Sequence, residues 1–277
     1  MKKLMEYKII SGRTVEIRRS YLPVRTAEEV SLGRAPRVAG NSSERKIKGN
    51  YKSCVARYAQ GLNCNMGYGD IHAVLHYAPL NRPLTYEEAE KIIEKAMAKL
   101  RRKFKKLYGR APKVFFGTAD WSPEHECKVN YHHHIVIEEA AGDMLKEIWT
   151  YGRIGFNFLD DSGDYSDLAA YIIANISPEE ASKPDRKKYH CSRNLDKPIY
   201  TEPVPVSDVE GIAAPKDAII KEAHSCRDES GCLQSSYMRC TLLAAPSVRG
   251  GKVVMPRKEI KRIKAEQEKK RGGLRRG

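Results

Sequence analysis

The chain predicts an α+β domain: a central antiparallel β-sheet with flanking helices and a basic C-terminal tail. Three observations carry that reading. Short apolar runs with strand-like alternation are bounded by glycine, proline and aspartate, and two longer stretches repeat apolar residues at helical spacing. Neighbouring strand candidates are also separated by segments short enough for hairpins. The 277 residues are 41% apolar, enough for a packed core and against wholesale disorder. No run reaches the roughly eighteen apolar residues a membrane span needs.

In chain order, Tyr7-Lys8-Ile9-Ile10 and Thr14-Val15-Glu16-Ile17 flank Ser11-Gly12 and read as a hairpin. Residues 20–41, with their prolines, glycines and scattered charges, read as a loop or arm. A helix is expected from about Ser43 to Gln60, stopped by Gly61. Ile71–Tyr77 is a strand candidate. The clearest helix runs from Tyr86 to Tyr108: Thr85 with Glu88 makes a capping box and Gly109 the stop. Its apolar stripe is Ile92, Ile93, Ala96, Met97, Leu100, Phe104 and Leu107, and Lys95, Lys99, Arg102, Lys103 and Lys106 occupy the other side.

Lys113–Thr118 and Tyr131–Ile137 follow as strands, then a short helix from Met144 to Tyr151 closed by Gly152, and a strand from Ile154 to Leu159. Tyr165–Ile176 is expected as a helix with Asp164 or Ser166 near its N-cap and Ala169, Ile172, Ile173 and Ile176 on its core side. Ala218–Glu222 and Tyr237–Leu243 are expected to pair as late strands. The organisation that follows is an N-terminal hairpin and arm over 1–50, a main domain over 51–200, a β-extension over 201–246 and a basic tail over 247–277.

The net charge is +15, and nine of those charges fall between Arg249 and Gly277. A basic tail concentrates a protein on a polyanion without reading its sequence; the bland alternative is a solvated tail. Seven cysteines, an odd number with no CxxC pair, suggest reduced thiols. Cys226, Cys232 and Cys240 with His224 fit no compact zinc module. The N-terminal residues include no apolar run of signal-peptide length, so a cytoplasmic protein with no membrane partner is expected.

His132-His133-His134 is the sharpest local feature. Side chains alternate along a strand, so His132 and His134 share one face and His133 points to the other. Two imidazoles two residues apart on one face suit a single cation. If the flanking strands form a hairpin, Asp120 emerges close to His132 as a third ligand, with Glu124, His125 and Glu126 weaker candidates in the loop. Such a cation neutralises charge on a phosphodiester under attack. Tyr171, mid-helix in Leu168-Ala169-Ala170-Tyr171-Ile172-Ile173, is a nucleophile candidate, because a phenol needs a nearby cation or base to act; the alternative is a core tyrosine.

This order of a His-U-His strand followed by a tyrosine helix resembles the HUH endonucleases, and more closely the rolling-circle replication-associated proteins of phages and integrative elements of Gram-positive bacteria. The segments that carry the resemblance are Gly69–Tyr77, Tyr131–Ile137, Ile148–Ile154, Gly163–Ile173 and Tyr189–Pro198, in the family's order. The resemblance implies a ferredoxin- or RRM-like HUH fold and a divalent metal, Mg²⁺ or Mn²⁺ with Zn²⁺ as an alternative, held by His132, His134 and Asp120. It further implies that Tyr171 attacks single-stranded DNA at an origin hairpin, leaving a 5′-phosphotyrosine and a 3′-OH. Partners would be that DNA and a host helicase and polymerase, in the cytoplasm of a bacterial host cell.

Lys183, Lys187, Lys188 and Arg193 are the expected phosphate contacts, an ordinary surface ion pair being the alternative for Arg193. Trp121 is a candidate for base stacking, whereas Trp149 fits a core position. Family members commonly carry a lysine three residues after the tyrosine, where Ala174 stands here. That departure keeps open a catalytically silent DNA-binding relative acting in replication or regulation of a mobile element. A zinc hydrolase would use the same histidines but leaves the tail and the tyrosine helix unexplained.

Overall fold

The computed structural model describes residues 2–23, 44–183, 186–207, 211–229, 231–249 and 252–273. It is an α+β protein of antiparallel sheets with six α-helices among the described residues. The chain divides into two compact units, one of residues 1–41 with 198–277, the other of residues 42–197.

The first unit opens with β1 (Lys2–Ser11) and β2 (Thr14–Pro23), the expected hairpin, turning at Gly12-Arg13. Gly12 has φ +58°, the left-handed backbone that the first position of such a two-residue turn requires. Most of the arm expected over 20–41 lies outside the described residues, as do the last four residues of the tail.

The second unit holds α1 (Glu44–Asn65), β3 (Ile71–His76), α2 (Tyr86–Tyr108), β4 (Val114–Ser122) and β5 (Cys127–Ile137). After these come α3 (Gly142–Ile148), β6 (Ile154–Phe158), α4 (Ser166–Ala174), α5 (Pro178–Ser182) and β7 (His190–Cys191). Its sheet runs in the order β6-β3-β5-β4-β7, every neighbouring pair antiparallel. The histidine strand β5 is therefore central, as its apolar continuation Ile135-Val136-Ile137 suggests.

Helices cover both faces. On one, Ile93, Ala96, Met97, Leu100 and Phe104 of α2 and Met144 and Leu145 of α3 pack on Ile71, Ala73, Leu75, Ile135 and Ile137. Trp149 joins this cluster as a core residue. On the other, Tyr58, Ala59 and Leu62 of α1 and Ala169, Ile172 and Ile173 of α4 pack on Phe115 and Val136. Each fully buried Leu or Ile adds about 1.5–3 kcal/mol.

Helix α2 starts and stops where the sequence predicts. Glu88 N–H donates to Thr85 Oγ1 at 3.2 Å, and Gly109 closes the helix at φ +71°. Leu107, placed in the apolar stripe from sequence, is exposed instead. Two glycines read as helix stops serve another purpose. Gly61 lies inside α1, where a Cβ would sit 2.9 Å from the Phe115 ring. Gly152 lies beyond α3 against the backbone that leaves the end of β3, where a Cβ would come 2.2 Å from the His76 carbonyl oxygen. Both are glycine because something packs against them.

The terminal unit is completed by β8 (Ile199–Tyr200), β9 (Val204–Pro205), β10 (Ile219–Arg227) and β11 (Leu233–Thr241), followed by β12 (Ser247–Arg249), β13 (Lys252–Val254) and α6 (Arg257–Gly273). Its larger sheet has the order β10-β11-β2-β1-β8, with β9 also pairing β1. The late strands pair as expected, and β11 also zips onto β2, Cys240 opposite Val15. All seven cysteines are free. No helix among the described residues is long and apolar enough to cross a membrane.

Candidate active site

Alternation along β5 divides its three histidines as the sequence predicts. His132 and His134 emerge on the sheet face that α1 and α4 cover, and His133 on the face that α2 and α3 cover. Strand β3 brings two more imidazoles to the first face. His76 lies opposite His132 in the register, their rings stacked at 5.6 Å and 17°. His72, two residues from the partner of His134, reaches it diagonally: the rings lie 5.3 Å apart and nearly parallel, with His72 Nε2 3.0 Å from His134 Nδ1.

Helix α4 brings Tyr171 to this cluster. Ala169, Ile172 and Ile173 enter the core, which leaves Tyr171 at the rim, 50% exposed. Its ring centroid is 5.4 Å from that of His134 and 6.2 Å from that of His72, edge-on to both. Both ends of the helix are secured. Asp164 Oδ1 accepts from Ser166 N–H and Oγ–H at the start, and Asn175 Nδ2 donates to the Tyr171 carbonyl at the end. The Asn175 carbonyl in turn accepts from the backbone N–H of Asp120 and Trp121, 3.1 and 3.0 Å away. The irregularity in β4 between Ala119 and Trp121 thus holds the end of the tyrosine helix.

Asp120 sits at that irregularity, buried at this end of the sheet. Its Oδ1 accepts from Ser177 N–H and its Oδ2 from Ser177 Oγ–H, both at 2.8 Å, while Ser177 caps α5. Its charge favours protonation of His132, but burial prevails and holds that imidazole below its ordinary value. Burial also lowers His72 to about 4, lowers His76, and holds His134 well below the usual imidazole range, with His132 adding to the effect on His76 and His134. Four neutral imidazoles therefore face one way. His132 Nδ1 lies 3.0 Å from the Asn130 carbonyl, whereas His134 Nε2 is buried without a hydrogen-bond partner.

His133 belongs to a separate chain behind the sheet. Thr118 donates its hydroxyl proton to Glu90, so Thr118 Oγ1 accepts from His133 Nδ1–H at 3.1 Å, and His133 Nε2 accepts the Tyr77 hydroxyl at 2.6 Å. His190 Nε2 reaches the other Glu90 oxygen at 3.0 Å and its ring stacks on Phe116. Burial lowers His133 to about 3 and raises Tyr77, in keeping with a neutral acceptor and a protonated donor.

Among the described residues, Glu90, Glu94 and His190 are the group whose three ligand atoms lie within 4.8 Å of one another, close enough to bind a metal ion; His132, His134 and Asp120, the expected ligand set, are not brought that close. Nothing in the spacing of Glu90, Glu94 and His190 marks them in sequence, because His190 is brought to α2 only by the β4–β7 pairing. His72 and His76, four apart in one strand, were legible as sharing a face; their approach to His132 and His134 was not.

The expected phosphate-binding cations are spread out. Lys183 pairs with Glu180 and Lys188 donates to the Ala181 carbonyl, while Lys187 and Arg193 are exposed. Lys183 and Lys187 line a cavity of about 670 Å³ with Glu87, Glu90, Lys91, Arg186 and His190. Comparison of the chain with family models, with curated proteins and with solved structures finds no match to any of them.

Proposed function

We propose that the chain is a single-tyrosine, metal-assisted strand transferase that nicks single-stranded DNA to initiate rolling-circle replication. The observation that carries this reading is Tyr171, half-exposed beside His134, whose buried Nε2 has no partner. A phenol at the rim is open to a DNA strand, and a buried imidazole nitrogen without a hydrogen-bond partner is a position where a ligand can be taken up.

The donor types of His132, His134 and Asp120 suit a divalent cation, which would have to draw their ligand atoms closer together than they stand here. His132 and His134 are neutral imidazoles on one face, and Asp120, each of whose oxygens retains a lone pair beyond its Ser177 bond, is the acidic group of the set. Imidazoles suit Zn²⁺ better than Mg²⁺, and the carboxylate of Asp120 admits Mn²⁺. Such an ion, when bound, neutralises charge on a phosphodiester.

The chain's own chemistry is then simple. Tyr171 Oη forms a bond to phosphorus as the bond to the departing 3′ oxygen breaks. The phenolic proton leaves to water, which reaches the half-exposed ring, and the 3′ oxygen takes up a proton. The phosphotyrosine conserves the ester, so the 3′-OH can prime a host polymerase or reseal the strand. Lys187 and Arg193, exposed in the same unit as Tyr171, would contact the strand's phosphates.

Labelled single-stranded oligonucleotides incubated with the protein and Mn²⁺ test this on a denaturing gel. A protein–DNA adduct is expected, lost in Tyr171→Phe and in His132→Ala. Salt-sensitive binding without an adduct across a broad pool would support instead the silent DNA binder that Ala174 favours.

A further inference from the structure

We infer that His72 is a positioning residue that decides which nitrogen of His134 is free to take a cation. The inference rests on the reading of His132 and His134 as cation ligands and adds what sets their tautomers.

For His132 the outcome is fixed by a backbone group. A carbonyl only accepts, so the 3.0 Å contact to Asn130 O requires the proton on His132 Nδ1 and leaves Nε2 with a lone pair. His134 has no such carbonyl. Its Nδ1 faces His72 Nε2 at 3.0 Å, and two neutral imidazoles share one proton across that contact. If His72 keeps the proton, His134 carries its own on Nε2, a buried N–H with no acceptor.

If His134 Nδ1 holds the proton and donates it to His72, Nε2 is a bare electron pair. The polar accounting of the pocket then closes when a cation accepts that pair. Only this second arrangement lets both β5 histidines present Nε2 alike. Ligating histidines generally donate their other N–H to a carboxylate, a carbonyl or water, which fixes ring and tautomer. Here the Asn130 carbonyl serves His132, and the nearly parallel, buried ring of His72 serves His134.

Titration calorimetry of the full chain with Co²⁺, together with the ligand-field spectrum of the loaded protein, separates the possibilities. His72→Leu removes the acceptor, and a 10- to 100-fold loss of Co²⁺ affinity, of the order of about 10–100-fold known for outer partners, is expected. His72→Gln restores a carbonyl acceptor and should recover both affinity and spectrum. Wild-type affinity in His72→Leu overturns the assignment, and so does equal loss in both variants, which would make His72 itself a ligand. If His72→Leu does not fold, ¹⁵N-imidazole spectra of the wild type still decide: a proton on His134 Nε2 overturns it. Undiminished Co²⁺ binding in His134→Ala would instead sink the ligand reading beneath it.

Discussion

Tyr171 stands edge-on to His134, ring centroids 5.4 Å apart and planes at 82°. The contact uses the ring and leaves the hydroxyl to other business. Tyr171→Phe keeps the ring and should change unfolding stability by less than about 0.5 kcal/mol, the range of a rim substitution. Loss of the DNA adduct at unchanged stability and unchanged DNA affinity is the expected pattern, measured by gel and by urea denaturation. A Phe variant that still forms the adduct would move the nucleophile elsewhere.

Buried neutral histidines make the fold acid-sensitive. In the unfolded chain an imidazole titrates near the usual value of about 6.5. Folded His133 is lowered to about 3 and folded His72 to about 4, in both cases by burial. Between these limits the unfolded chain binds more protons, so stability rises with pH through the window and is lost as pH falls through it. Each such histidine contributes a slope of up to about 1.4 kcal/mol per pH unit. Urea midpoints followed from neutral pH to about pH 5 should fall steadily; flat midpoints would mean that these rings protonate without cost.

Gly152→Ala should be severely destabilising. The added methyl meets the His76 carbonyl, the Ala78 nitrogen and the Tyr77 carbonyl carbon, all backbone, at 2.2–2.8 Å. A cost of about 3 kcal/mol or more is expected. At Gly155 nothing lies within 4 Å of the same atom, so Gly155→Ala is the matched control. At Gly61 the methyl meets a ring edge inside a helix, where alanine regains about 1 kcal/mol of propensity, and the net effect should be smaller. Thermal denaturation of the three variants ranks them.

Asp120 is expected to show two separable effects. Its carboxylate takes two hydrogen bonds from Ser177, so Asp120→Ala should cost about 2–3 kcal/mol of stability, as for buried bonds to a charged acceptor. Asp120→Asn keeps one acceptor and should cost less, while still removing the charge beside His132. If Asp120 is a ligand, the Asn variant binds Mn²⁺ more weakly than its stability loss explains; equal Mn²⁺ affinity limits Asp120 to bracing Ser177.

Deleting residues 249–277 removes nine net positive charges. Binding to single-stranded DNA should weaken, and its dependence on salt should flatten by about 0.7 per lost phosphate contact in the logarithmic slope. An unchanged slope would mean that the tail does not touch the strand.

Local chemistry and hairpin pairing were readable in the sequence, and pairing between strands far apart in the chain was not. Thr85, Glu88 and Gly109 mark α2 because caps act over three or four residues. His132 and His134 share a face because strand geometry alternates without reference to neighbours. The approach of His72 to His134 depends on which residue of β3 lies opposite which residue of β5, a relation between segments far apart in the chain. Gly61 and Gly152 were misread because a glycine that ends a helix and a glycine that admits a neighbour look alike in one dimension. Leu107 fits the helical stripe but lies in the last turn of α2, where no layer covers it.

The union of β2 with β11 has a consequence during synthesis. Val15 and Ile17 emerge from the ribosome early, yet Cys240 and Met238, the residues they lie against, are made only after the whole histidine unit. The nascent hairpin must therefore hold its apolar side uncovered while the intervening segment is translated. A prematurely terminated chain would leave that side bare, a sticky surface of the kind chaperones recognise.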